Sequence, residues 1–204
     1  HLFCALGKAI GQRLESLGKK FVPYILGIQT ASLEELKSFC ASLATYGGVA
    51  LFHMRGITPE EAHYSPPQDC LNISWSDLEA SIRSLQEATP EEVDFISLGC
   101  PHLSIMEIKS LAELLQDKKV KREFWITTSR PIKKIADIMG YTEIIQNSGA
   151  KFATDTCCVV APIKGRFKAM ASDSAKACYY GYAKNGFKTL LLPFEDVARL
   201  ALYT

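Results

Sequence analysis

Five polar clusters in this sequence carry residue types that could do chemistry. The first is Ser97-Leu98-Gly99-Cys100-Pro101-His102. Cys100 follows the apolar run VDFISL and precedes a stretch that reads as a helix over 101–115, with Pro101 in its first turn. A cysteine at a helix N-terminus sees the positive end of the dipole, which lowers its pKa and favours the thiolate that binds metal. Gly99 lets the backbone turn tightly there. The same pattern also fits a buried capping cysteine with no role.

The second cluster is Asp155-Thr156-Cys157-Cys158. Neighbouring side chains in an extended segment point apart, so one cysteine of the pair is expected to face a cofactor and the other the core. Asp155 and Thr156 could hydrogen-bond the loop or a substrate. No CxxC is present, which excludes zinc-ribbon and ferredoxin spacings. In the third cluster, Thr127-Thr128-Ser129-Arg130-Pro131, hydroxyls, free helix N–H groups and a guanidinium make a candidate anion site; a capped helix with an exposed Arg130 is the alternative. In the fourth, Ser172-Asp173-Ser174-Ala175-Lys176, Ser174 is either an N-cap or a ligand, and Lys176 either grips a phosphate or carboxylate or is solvated. The fifth, Phe52-His53-Met54-Arg55-Gly56-Ile57-Thr58, contributes His53 and Thr58. A lone histidine at the end of a buried strand is also a common core residue. There is no GxSxG elbow, Walker motif, HExxH or complete GxGxxG.

These clusters need elements to position them. Apolar runs read as strands over 21–28, 49–54, 70–74, 93–98, 123–127, 151–153, 159–161 and 190–192. Between them, helical spacing begins at Ser32, where Glu35 completes a capping box, and stops at Gly47-Gly48. Further helices are expected from Thr58, from Ser76 to about 88, and over 101–115, 132–139, 143–148, 174–180 and 195–202. Such alternation with short loops predicts an α/β fold with largely parallel sheets flanked by helices. Ligands in such sheets sit beyond the carboxyl ends of the strands, where most of the polar clusters fall. The Pro66-Pro67 segment over 64–69 is the candidate internal boundary.

The 204 residues are 48% hydrophobic and 22% charged, with a net charge of +1, the balance of a soluble globular chain with no footprint for nucleic acid. No apolar run approaches the ~18–20 residues of a membrane span. The opening HLFCALGKAIGQRL lacks signal-peptide organisation, and a start without Met in mid-pattern suggests a piece of a longer protein. Seven irregularly spaced cysteines argue against a disulfide framework and for a reducing, cytoplasmic setting.

Read in order, GGVALFHMRGITPEEA, DFISLGCPHLSIMEI, FWITTSRP, GAKFATDTCCVVAPI and SDSAKACYY resemble the aconitase X family over nearly the whole chain. ALGKAIG and PYILGI resemble the same family's large subunit. The resemblance implies aconitase-like domains and identifies residues 1–204 as the C-terminal half of such a subunit. It implies a [4Fe–4S] cluster held by three cysteines, with Cys100 and Cys157 as two of them and the third in the absent N-terminal half. The implied partners are that N-terminal half, a small subunit and a small phosphorylated hydroxy acid. The implied reaction is dehydration of (R)-mevalonate 5-phosphate to anhydromevalonate phosphate, the chemistry of the archaeal type, which the cysteine of GCPH favours. Dehydration of cis-3-hydroxy-L-proline, or a non-catalytic iron-binding module, are the alternatives. The main general base is expected in the small subunit. His102 would orient the departing oxygen or hydrogen-bond the cluster, and Ser129, Arg130, Ser174, Lys176, His53 and Thr58 would grip substrate. Asp173 stands where the family pattern has Asn, which leaves its own role open.

Overall fold

The computed structural model describes residues 1–18 and 21–203. Two compact units result, one of Leu2–Ile82 and one of Arg83–Thr204 together with His1. The boundary expected at 64–69 is thereby corrected: that loop lies inside the first unit. Ile73, beyond the two prolines, still packs against the first unit's core, so the division comes only after the next helix.

The first unit pairs helix α1 (Leu2–Ser16) with α2 (Leu33–Gly47). α2 starts on the capping box expected of Ser32 and Glu35, and Gly48 closes it in the left-handed conformation. Apolar spacing alone does not mark α1, because its buried face includes Gly7, Lys8 and Gly11 as well as Ile10 and Leu14. The strands expected over 21–28 and 49–54 shrink to the parallel pair β1 (Tyr24–Ile25) and β2 (His53–Met54). Residues 70–74 form no strand, and the helix expected from Thr58 is a single 3-10 turn, Glu61–His63. α3 (Trp75–Arg83) is capped by Ser74 rather than Ser76: the Asp77 N–H donates to Ser74 Oγ, and Asp77 Oδ2 accepts from the Ser74 N–H at 2.7 Å.

The second unit is a five-stranded, wholly parallel sheet in the order β5-β4-β3-β6-β7. Its strands are β3 (Phe95–Leu98), β4 (Glu123–Thr128), β5 (Lys151–Thr154), β6 (Ala169–Ser172) and β7 (Lys188–Leu191). Helices α4 (Ile105–Leu115), α5 (Arg130–Ile138), α6 (Tyr141–Asn147), α7 (Ala175–Asn185) and α8 (Phe194–Leu200) connect or follow them. The α/β class with parallel sheets is as expected.

Side chains alternate along the strands with period two. Ile96, Leu98, Phe124, Ile126, Ala169 and Ala171 join a core with α4 and α8. Phe95 and Met170 face the opposite way, into a second core with Ala177 of α7, Phe187, Cys100 and Cys158. α4 and α7 therefore cover opposite faces. From β3 the chain winds toward β4 and β5, and from β6 toward β7. The strand order thus reverses between β3 and β6, and the connections leaving those two strands diverge. In open sheets of this kind, ligands bind at the carboxyl ends of the strands beside such a reversal.

β6 was not expected from sequence. Its residues, Ala-Met-Ala-Ser, are small and weakly β-forming, and they owe their strand to β3 and β7 on either side. The strand expected over 159–161 is instead a turn in the long β5–β6 connection.

Candidate functional site

The clusters around Cys100, Arg130, Cys157 and Ser174 all follow the carboxyl ends of strands in the second unit. Gly99 makes the first turn possible. Its φ is +109°, and a Cβ there would lie 2.1 Å from the Thr127 carbonyl oxygen. The buried Thr127 hydroxyl donates to the Gly99 carbonyl at 2.8 Å, and the Leu103 N–H donates to the Thr127 carbonyl. The β3 loop is thus strapped flat against the end of β4.

Cys100 does not sit at a helix N-terminus. α4 begins only at Ile105, with Ser104 and Glu107 forming its capping box. Without free helical N–H groups to stabilise a thiolate, burial governs the sulfur. Burial pushes the Cys100 thiol up to about 12, and Cys158 adds to the rise; Lys176 opposes it, Cys157 again adds, and a hydrogen bond with Ser174 opposes. The expected lowering is therefore reversed in this structure. Cys100 is a neutral thiol at neutral pH unless a cation replaces its proton.

These influences bring Cys100, Cys157, Cys158, Ser174 and Lys176 into one neighbourhood. Ser174 is buried at the N-cap of α7, where its Oγ accepts from the Ala177 N–H. Lys176 lies on the first turn of α7, half-buried. Cys158 is 3% exposed and packs in the core, while Cys157 is half-buried beside it. Burial pushes the Cys158 thiol up to about 11, against a hydrogen bond with Ser97. Ser97 and Ser172, both buried on the Phe95 face, belong to this neighbourhood; the sequence placed them in polar clusters but gave them no role. The readable signal was period two: each is a polar residue two positions beyond a buried Phe95 or Met170.

Ser129, Arg130 and His102 have internal partners. Ser129 caps α5. The Arg130 N–H donates to Asp155 Oδ1 at 2.9 Å, and its guanidinium pairs with Asp155 Oδ2 at 3.0 Å. The anion that meets this helix start is thus the chain's own carboxylate. His102 Nε2 meets the Thr156 carbonyl at 2.8 Å, which requires that nitrogen to be the donor. His53 and Thr58 lie in the other unit. His53 is buried, stacked on Tyr64 at 4.2 Å between centroids, and the Thr58 hydroxyl accepts from the Met54 N–H at 2.9 Å.

Soft sulfur donors at the mouth of a parallel sheet suit an iron–sulfur group. Cys100 and Cys157 supply two thiols of that chemical type. Among the described residues no group of three His, Cys, Asp or Glu side chains gathers to hold a metal ion. No described helix is long and apolar enough to cross a membrane.

A doubly wound parallel sheet with thiols at its switch point defines the structural class. Residues 1–83 match the model of the aconitase X second domain, and residues 93–203 match that of the aconitase X third domain. The chain belongs to the aconitase X family. It is 38% identical to the phosphomevalonate dehydratase large subunit of Methanocaldococcus jannaschii, over 84% of this chain and 44% of that one. The protein of the same name from Thermococcus kodakarensis is 36% identical over 98% of this chain and 51% of its own length. A cis-3-hydroxy-L-proline dehydratase from Hypocrea jecorina is 30% identical over 87% of this chain and 32% of its own. The crystal structure of Thermococcus kodakaraensis aconitase X in its holo-form superposes with a TM-score of 0.87 at 35% identity, covering 98% of this chain and 51% of that one. The chain spans about half the length of the large-subunit relatives it matches.

Proposed function

We propose that this chain forms part of the large component of an iron–sulfur-dependent hydro-lyase that dehydrates (R)-mevalonate 5-phosphate to anhydromevalonate phosphate. The observation that carries the reading is the gathering of Cys100, Cys157, Ser174 and Lys176 at the β3/β6 switch point. Its partners are the N-terminal half of the large subunit, which supplies the third cysteine, and a small subunit, which supplies the main base. Cys100, Cys157 and that third thiolate would hold a [4Fe–4S] group, whose chemistry there would be Lewis acidity toward a substrate hydroxyl. Seven free thiols agree with a reducing, cytoplasmic setting.

The chain's own residues bind and orient. Lys176, whose charge acts on Cys100, pairs with the substrate carboxylate or phosphate as a point charge. Ser174, fixed by its cap bond, orients a second substrate oxygen. The apolar wall of Phe95, Met170 and Phe187 behind them excludes water and strengthens both contacts.

The choice of the phosphate rests on the relatives at 36–38% identity, which carry that activity in their names. The hydroxyproline reading is the alternative, favoured by a relative at 30%. Product assay of the assembled large and small components with both substrates separates them. Turnover of the phosphate is expected, and its absence with turnover of cis-3-hydroxy-L-proline overturns the choice. Lys176→Ala is expected to raise KM for the anionic substrate by roughly tenfold or more, the loss of a charge-assisted contact. Unchanged KM and kcat would remove Lys176 from the site.

A further inference from the structure

The turn that carries Cys157 is tied from two directions. Asp155 leaves β5 by donating its N–H to the Thr128 carbonyl at 3.0 Å, then turns the chain with a φ of +56°. Asp is among the few residues with a Cβ that enter this left-handed region readily. Its carboxylate accepts from the Arg130 N–H, one of the donors a helix start leaves unpaired, and also pairs with the Arg130 guanidinium. The next residue, Thr156, gives its carbonyl to His102 Nε2 at 2.8 Å. His102 stands two positions past Cys100. The two residues immediately before Cys157 are thus fastened to the start of α5 and to the loop of Cys100.

These ties do little for stability. The Asp155 and Arg130 side chains are 43% and 71% exposed, and ion pairs so solvated contribute little. Their consequence is geometric. Beyond Cys157, Cys158 is buried in the core, and the Cys157 and Cys158 carbonyls accept from the Val160 and Ala161 N–H groups, each at 3.3 Å. Cys157 is therefore held between the buried Cys158 on one side and the Asp155–Thr156 ties on the other, and those ties are what fasten its turn to the Cys100 loop and to α5. We propose that Asp155 and His102 are positioning residues that hold the Cys157 thiol at a fixed place relative to Cys100. The inference rests on the reading of Cys157 as a cluster ligand for its purpose, though not for its geometry. His102 on this account touches neither substrate nor reacting atoms; it acts through the Thr156 carbonyl.

The test uses the full-length large component assembled with its small component. Two readouts are taken. One is the iodoacetamide alkylation rate of Cys157 in the cluster-free protein, by peptide mass spectrometry, with Cys158 and Cys178 as internal references. The other is iron retained against a chelator after anaerobic reconstitution. Asp155→Gly keeps the left-handed turn and removes the carboxylate; His102→Ala removes the donor. Each is expected to raise Cys157 alkylation several-fold with the reference cysteines unmoved, and to weaken iron retention by roughly tenfold, the low end for partners that orient a ligand. Asp155→Asn and His102→Gln keep an acceptor for the Arg130 N–H and a donor for the Thr156 carbonyl. They are expected to restore both readouts. Wild-type alkylation of Cys157 in both Asp155→Gly and His102→Ala overturns the inference. Cys157→Ser with undiminished iron would instead overturn the ligand reading, and the alkylation result would still decide whether the ties set the turn.

Discussion

His53, which opens the two-residue strand β2, and Cys100, two residues past β3, are both reactive side chains beside buried parallel strands, yet the two units use them differently. β2 has one partner strand, and His53 is stacked against Tyr64 with no reversal of strand order beside it. β3 has partners on both sides, and the connections leaving it and β6 diverge to opposite faces. Cys100 therefore lies where those connections part, within electrostatic reach of Ser174, Lys176 and the second cysteine loop. A strand end alone does not make a site. Divergence of adjacent connections does, and it is a property of strand order that neither residue carries by itself.

The two units also use glycine differently, which gives the sharpest way to break the comparison. Gly99→Ala meets two obstacles at once: a positive φ and a Cβ 2.1 Å from the Thr127 carbonyl oxygen. The strap that holds the Cys100 loop on β4 must open. We expect a loss of about 4 kcal/mol, at the upper end for single substitutions, read from the urea unfolding midpoint. Gly47→Ala, in the helix pair, meets only a steric obstacle, since its Cβ would lie 2.6 Å from the Gly11 Cα. Overpacking of ~1–3 kcal/mol is offset in part by the helix propensity that alanine gains over glycine, up to ~1 kcal/mol. A net loss of about 1–2 kcal/mol is expected. Equal losses at the two positions would mean that the backbone conformation at Gly99 adds nothing, and the contrast between the units would fail.

The same contrast explains what was legible in the sequence. The helices beginning at Ser32, Thr128-Ser129 and Ser174 announce themselves through caps. The strands around Phe95 and Trp125 do so through apolar runs. The motif cysteines and Lys176 were visible as residue types at strand ends. What was not legible depends on neighbours distant in sequence. β6 is a strand because β3 and β7 pair with it, and α1 is a helix whose glycine face reads as noise until α2 fills it. The thiol of Cys100 shifts upward because α4 starts four residues later than Pro101 suggests, which leaves burial unopposed by a helix dipole. Arg130 read as a ligand for a foreign anion because nothing in its own segment shows that Asp155, 25 residues on, occupies that place.

The smallest effect lies at the other end of the sheet. Glu123 opens β4, at the edge opposite the thiols, and its Oε1 accepts from Lys151 Nζ and from Trp125 Nε1, both at 2.6 Å. Burial pushes its carboxyl up, but hydrogen bonds from Lys151 and Trp125 and the charges of Lys151 and Arg166 outweigh that and hold it below its ordinary 4.5. A carboxyl whose folded pKa lies below its unfolded one contributes stability that is complete above the unfolded value. That contribution is lost as the pH falls through the folded value. Glu123→Gln keeps the shape and removes the charge. At pH 7 it is expected to cost about 0.5–1 kcal/mol, as for a partly exposed pair. The gap between wild type and variant should stay constant down to about pH 5 and close below that as the wild-type carboxyl protonates. Thermal melts of both proteins from pH 7 to 3 measure it. Iron retention at the proposed Cys100–Cys157 site should not change, because the strap at Gly99 and the ties at Asp155 lie at the carboxyl ends of the strands, a full strand length away. A gap that widens on acidification would reverse the sign assigned to Glu123. A loss of iron would mean that the two ends of this sheet do not act independently.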